Sequence, residues 1–322
     1  MVHVTSFSHP VQSLDIGCGL YLFSLTQEPH MTYAIDAPFD FRDRLGEGPH
    51  WDDKTGTLLR VDAFGGKIHR LEPDSGRNEE LLSVSGEVGF VVPTTDGRTV
   101  AAVENELVEL GGEAPKMIVT VDEGNPDLRI NDGKCDSHGR VVFGTISRSR
   151  QPVGALHRFD SSGRHDVLAT GISVSNGMGW DNDLDRFYYI DSWAQRIDVF
   201  DYDVASGDVG SRRPFVEIPQ EDGLPDGMAI DSEGGVWVAL FGAGEVRRYA
   251  PDGLISEKVS MPATYVTSIA FGGADLKTAY VTSGYDEFDA AQRVREPLAG
   301  ALLTFSAGVA GARCATFEPP VV

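Results

Sequence analysis

Four segments far apart in this chain share one short pattern, and each begins with an oxygen-bearing side chain. They are Glu47-Gly48-Pro49-His50-Trp51-Asp52, Asp132-Gly133-Lys134-Cys135-Asp136, Asn176-Gly177-Met178-Gly179-Trp180-Asp181 and Asp226-Gly227-Met228-Ala229-Ile230-Asp231. Each reads as an acid or amide, a glycine, a short apolar stretch and an aspartate turn. The residues following the initial position are Gly48, Gly89, Gly133, Gly177, Gly227 and Ser268, and they recur every 41 to 50 residues. That period belongs to four-stranded propeller blades, and six units fit the chain.

The segments between the markers support strands. Thr57–Asp62, Val141–Thr145, Phe187–Asp191, Val236–Leu240 and Ala279–Thr282 are rich in β-branched and aromatic residues and follow each marker after a turn. A third run often follows, as in Gly154–Asp160, Arg196–Phe200 and Glu245–Tyr249, and turns such as Asp74-Ser75-Gly76 and Pro251-Asp252-Gly253 close the units. No long amphipathic pattern is visible. The expected fold is all-β, a six-bladed β-propeller with a central metal-binding channel. A β-sandwich does not repeat one four-strand unit six times. Residues 31–322 form the expected single propeller domain, residues 1–30 match none of the repeat and read as an N-terminal extension, and Tyr33 to Phe41 could pair with the last blade to close the ring.

At 322 residues the chain can bury a large core, and its 37 glycines, 17 prolines and 41% apolar residues suit many short strands joined by tight turns. The net charge of −22, with no Lys/Arg cluster, disfavours nucleic acid and anionic membranes as partners. Cys18, Cys135 and Cys314 are odd in number and widely spaced, which argues against a disulfide framework and a zinc–thiolate site. No apolar run approaches the roughly 20 residues that span a bilayer. Ile16–Leu25 lacks a basic preceding region and reads as ordinary sequence, so the cytoplasm is the expected compartment.

In a propeller the first strand of each unit lines the channel, so one register position converges on the axis. In that register the six positions are Glu47, Val88, Asp132, Asn176, Asp226 and Thr267. Four of them can ligate a hard divalent cation, and an oxygen-only set suits calcium, magnesium or manganese; zinc lacks its preferred His or Cys ligands. Asp62, Thr145, Asp191 and Thr282 end second strands at the same mouth and are expected near the site. Asp52, Asp136, Asp181 and Asp231 belong to turns at the opposite mouth.

Several stretches resemble the signatures of the senescence marker protein/gluconolactonase/luciferin-regenerating family of regucalcin-like lactonases. They are Leu45-Gly46-Glu47-Gly48-Pro49, Arg129-Ile130-Asn131-Asp132-Gly133-Lys134, Ser175-Asn176-Gly177, Phe200-Asp201-Tyr202-Asp203, Pro225-Asp226-Gly227-Met228 and Arg295–Leu302, in matching order over residues 40 to 305. The resemblance implies one divalent cation in the channel (calcium, magnesium, manganese or zinc) and hydrolysis of sugar lactones to aldonic acids in carbohydrate catabolism. It makes Glu47, Asn176 and Asp226 the metal ligands and Asp226 also the general base. It makes Asn131 a polar contact to substrate or to water on the cation, and Arg129 a substrate-binding residue. The repeat register alone nominates Asp132; a one-residue bulge at the channel mouth would re-aim the side chains in favour of Asn131 and leave Asp132 supporting the loop. Where some members carry acidic residues, this chain has Thr145-Ile146-Ser147-Arg148-Ser149-Arg150, and Arg148 is a pocket candidate.

The implied chemistry is polarisation of the lactone carbonyl by the cation, with water activated by Asp226 or at the cation itself. A broad ester or organophosphate hydrolase on this scaffold and a non-enzymatic calcium-binding regulatory protein are the alternatives. Ser175 has no evident His partner, and no Gly-x-Ser-x-Gly or His-Glu-x-x-His sequence occurs. His50 and His157 read as satisfied structural histidines and Trp51, Trp180 and Trp237 as packing between blades; Trp193, just after a second strand, could border the pocket, with loop packing the preferred reading.

Overall fold

The computed structural model describes residues 33–112 and 114–320. The expectations placed on residues 1–30, Cys18 among them, lie outside the described residues. Six antiparallel sheets follow one another along the chain, each with its strands in sequence order. Their first strands are Gly46–Asp52, Val88–Pro93, Leu128–Cys135, Ser175–Asp181, Leu224–Ile230 and Val266–Gly272. Each touches the first strand of the next sheet, and the sixth touches the first, so these strands form a closed ring around an axis. That is a six-bladed β-propeller, as the repeat predicts.

The glycine markers have a packing reason. A Cβ on Gly177 would lie 2.5 Å from the Asp226 carbonyl oxygen, and one on Gly227 would lie 2.0 Å from Ser268 Oγ. Neighbouring first strands approach too closely at this level for any side chain.

The apolar core is divided in six, one cluster in each gap between blades. Leu59, Val61, Val91 and Val108 join blades 1 and 2; Phe90, Leu107, Val141 and Phe143 join 2 and 3. Leu156, Met178, Phe187 and Tyr189 join 3 and 4, and Tyr188, Ile197, Val236 and Val238 join 4 and 5. Trp237, Ile269, Phe271 and Leu303 join 5 and 6, and Trp51, Leu58 and Tyr280 join 6 to 1. Burying each large side chain contributes about 1.5–3 kcal/mol. Outer strands such as Arg77–Ser83 stay largely exposed.

The last blade has three strands of its own, Val266–Gly272, Thr278–Ser283 and Leu303–Ser306. Asp36 pairs with Thr304 through two backbone hydrogen bonds of 2.9 and 2.8 Å, so the segment that begins the described chain closes the ring on the last blade. The single α-helix among the described residues is Ala290–Arg295, and among these residues no helix is long and apolar enough to cross a membrane.

Asp52, Asp136, Asp181 and Asp231 occupy turns as expected. Each accepts backbone N–H groups from the residues that follow, for example Gly235 N–H to Asp231 Oδ1 at 2.9 Å.

Candidate active site

Every first strand carries one extra residue relative to its second strand. The irregularities fall between Glu47 and His50, Val88 and Val91, Ile130 and Gly133, Asn176 and Met178, Pro225 and Met228, and Val266 and Ser268. A bulge at the same level in all six blades turns the adjacent side chains toward the channel mouth.

There they meet a cavity of about 230 Å³. Glu47, Arg129, Asn131, Asn176, Ser192 and Asp226 supply its polar wall. Leu45, Ile146, Val174 and Leu224 supply apolar wall, and Phe64, Trp193, Phe241 and Tyr265 an aromatic rim with Arg150, Asp286 and Glu287 beside it. The five residues nominated as ligands or substrate contacts, drawn from four blades, thus share one cavity.

A hydrogen-bond chain fixes their orientation. Arg129 Nη1 donates to Asn131 Oδ1 at 2.8 Å. A guanidinium only donates, so Asn131 must present its oxygen to Arg129 and its nitrogen to the other side. Asn131 Nδ2 donates to Asn176 Oδ1 at 2.7 Å and to the Ser175 carbonyl at 2.8 Å. At the far end Ser192 Oγ donates to the Pro225 carbonyl at 2.6 Å and accepts from Asn176 Nδ2 at 2.8 Å. Both ends therefore direct the Asn176 amide oxygen away from Ser192 and toward Asn131. Arg129 Nε pairs with Glu87, which also pairs with Arg148.

The carboxylates are electrostatically unrelieved. Burial and the nearby Asp132 charge push Glu47 up to about 8, although its own Gly48 N–H and Arg129 draw it down. Burial, then Glu47 and Asp132, raise Asp226 well above the ordinary carboxylate range. Asp132 is raised by burial, with Lys134 and the Gly133 N–H opposing. Asp226 Oδ1 is buried with no hydrogen-bond partner among the described residues. Two buried carboxylates with raised pKa values, one orphaned oxygen and an amide oxygen held in place form a donor set suited to a hard divalent cation. Among the described residues no three His, Cys, Asp or Glu side chains gather as a metal-holding group; the expected set relies on an amide for its third donor.

Other nominated residues stand off the cavity. Asp132 is buried in the channel, where its charge reaches Glu47 and Asp226, and its Oδ1 accepts from its neighbour Gly133 at 2.7 Å. Thr145 is fully buried and closes a hydrogen-bond pair with Ala155, so it serves the blade and does not face the cavity. Asp191 accepts the Ser173 and Val174 N–H groups at 3.1 and 3.0 Å; it anchors the chain entering blade 4, with Val174 on the cavity wall. Arg148 reaches Glu87 and Glu104 and leaves the cavity edge to Arg150.

Two expectations are corrected. Trp193 is no loop-packing residue: it is 48% exposed and borders the cavity, on the short turn Ser192–Ala194 that also carries Ser192. His50 is buried but not satisfied, since neither ring nitrogen has a partner among the described residues, and buried His157 is satisfied only at Nδ1, which meets His165 Nε2 at 2.9 Å. Ser175 Oγ is buried without a histidine partner, as expected of a residue that is not a nucleophile.

Residues 45–285 match the family model described as SMP-30/Gluconolactonase/LRE-like region. The chain is 37% identical over 270 residues to regucalcin of Xenopus laevis, covering 80% of this chain and 89% of that one. It is 36% identical over 248 residues to pentonolactonase XacC of Haloferax volcanii, covering 76% and 84%. Among solved structures it is similar to a luciferin-regenerating enzyme, with a TM-score of 0.82, 29% identity, and coverage of 89% of this chain and 99% of that one.

Proposed function

This chain belongs to the SMP-30/gluconolactonase/LRE-like family, and on that premise we propose that it hydrolyses sugar lactones to hydroxy acids at the mouth of its channel where the six bulges lie, the upper mouth, with one divalent cation held by Glu47, Asn176 and Asp226. The observation that carries this reading is the shared cavity: these three residues line it with Arg129 and Asn131, and two of them are buried carboxylates whose pKa values are raised, Glu47 by burial and Asp132, Asp226 by burial, Glu47 and Asp132. The pentonolactonase relative supports a lactone as the substrate class.

A hard divalent cation bound there supplies Lewis-acid polarisation of a carbonyl, worth several kcal/mol in the transition state. The chain's own residues do the rest. Asn131 and Ser192 hold the Asn176 oxygen in position from two sides, which limits the reorganisation needed as charge develops. Asp226 Oδ1 has no hydrogen-bond partner among the described residues, so it can accept the proton of an attacking water. Water adds to the lactone carbon, the ring C–O bond breaks, and the released ring oxygen takes up a proton to give the hydroxy acid. Arg129 is held through Nη1 and Nε by Ile130, Asn131 and Glu87, and it lines the cavity, where its positive charge would meet substrate oxygens. The apolar walls and aromatic rim exclude water from the sugar's C–H faces.

The aromatic rim favours one second reading, a broader carboxylic ester hydrolase. A pH-stat assay over gluconolactone, galactonolactone, xylonolactone and aryl esters, with chelator and add-back of each cation, tests both. Lactone turnover that vanishes with chelator and returns with one cation supports the proposal. Ester turnover without lactone preference supports the second reading, and absence of both points to a cation-binding protein without turnover.

A further inference from the structure

At the other end of the channel lies a second cavity, of about 430 Å³. The later halves of five first strands line it, contributing His50, Lys134, Trp180, Ile230 and Phe271 among others. The C-terminal segment roofs it. Ala312 N–H donates to the Ile230 carbonyl and Phe317 N–H to the Pro93 carbonyl, so the segment runs from blade 5 across the mouth to blade 2. Phe317 is fully buried between blades 2 and 3, and Arg313 pairs with Asp53 of blade 1.

Four buried polar atoms on this wall have no hydrogen-bond partner among the described residues: both ring nitrogens of His50, Trp180 Nε1 and Asp181 Oδ2. His50 is 3% and Asp181 6% exposed. Burial holds the His50 ring far below its ordinary value, at about 3, so it is neutral, with one nitrogen donating and the other accepting. Asp181 Oδ1 is already engaged by the Asp183 and Leu184 N–H groups. Among the described residues the Lys134 ammonium has one acceptor, the Met228 carbonyl.

Buried unpaired polar groups are costly, and their arrangement describes what would satisfy them. Lys134 and Trp180 ask for an anionic acceptor, Asp181 for a donor, and neutral His50 for a group that both donates and accepts. A carboxylate bearing several hydroxyls meets all four demands; a simple amino acid has only one ammonium to divide between Asp181 and the His50 acceptor nitrogen. We propose that this far-mouth cavity is a second ligand site, separate from the metal centre, that takes a small hydroxy-carboxylate with its carboxylate on Lys134 and its hydroxyls on His50 and Asp181. The proposal requires no turnover and stands apart from the lactonase reading, although that reading yields a product of the same chemical class.

The test is calorimetric titration of the full chain with D-gluconate in the presence of chelator, with sorbitol, which lacks the carboxylate, as control. Wild type is compared with Asn176→Ala at the upper mouth and with Lys134→Met and Asp181→Asn at the lower, each checked for an unchanged melting transition. Saturable gluconate binding that persists in Asn176→Ala and weakens about tenfold or more in whichever lower-mouth variant folds supports the site. No saturable binding means the cavity holds water only and overturns it. Binding lost in Asn176→Ala, or sorbitol binding equal to gluconate, overturns it as well.

Discussion

Asn131 Nδ2 donates to Asn176 Oδ1 at 2.7 Å across the gap between blades 3 and 4. The bond makes one amide the positioning group for another. Its direction is set by Arg129, which can only donate, and by Ser192, whose hydrogen is directed to the Pro225 carbonyl. Removing the pair's outer member tests whether orientation matters. Asn131→Ala leaves all three proposed ligands intact, yet it is expected to weaken cation affinity by about 10–100-fold, measured by calorimetric titration. Unchanged affinity would show that Asn176 is held well enough by Ser192 alone.

The raised carboxylates carry a stability cost that a cation relieves. Without metal, Asp226→Asn is expected to be more stable than wild type by about 1–3 kcal/mol, because it removes a buried charge that repels Glu47 and Asp132. With metal the order reverses. A cation at a thousandfold excess over its Kd stabilises wild type by about 4.1 kcal/mol and leaves the variant unmoved. Denaturant unfolding with chelator and with calcium reads both, and lactone turnover of the variant is expected to be abolished.

Much of this site is legible in the sequence, for a reason the structure supplies. Gly177 and Gly227 recur in register because adjacent first strands leave no room for a side chain, so the repeat marks the level of the channel mouth. Counting along that repeat points to Asp132, however, because the bulge falls differently against the glycine marker from strand to strand: the unpaired residues are Asn131 and Asp132 in blade 3 but Asp226 and Gly227 in blade 5. The family resemblance nominates Asn131, and the cavity has Asn131 on its wall and Asp132 below. Glu87, Ser192, Phe64, Phe241 and Tyr265 sit outside the repeated positions, at strand ends from different blades, and no local pattern brings them together. Trp193 had a usable signal: it lies two residues after Asp191, at the end of a second strand that returns to the upper mouth.

Trp193 is half-exposed and borders the cavity, so its ring offers an apolar face to the C–H side of a sugar ring. Trp193→Ala is expected to raise KM several-fold at nearly constant kcat, and Trp193→Phe to restore most of the loss. A fall in kcat with KM unchanged would place the residue in the chemical step instead.

Acid should destabilise the fold through its buried histidines. His157 is held down to about 4, first by burial and then by neighbouring His165, while Asp122 pulls it upward. Its folded pKa lies below the unfolded value of 6.5, so folding favours the neutral ring. The stability it contributes is fully present above about pH 6.5 and is lost as pH falls toward 4, on the order of 1.4 kcal/mol per unit of displacement. His157→Phe, which can retain the stacking on Phe143, is expected to flatten that part of the curve in denaturant titrations from pH 7 to 4. An unaltered slope would assign the acid sensitivity to other groups.

Anomalous scattering from a crystal of the protein grown with manganese tests the central claim most directly. The account predicts one strong peak at the upper mouth, about 2.0–2.6 Å from oxygens of Glu47, Asn176 and Asp226 together. A peak elsewhere in the channel, or one within reach of only one of the three, contradicts it.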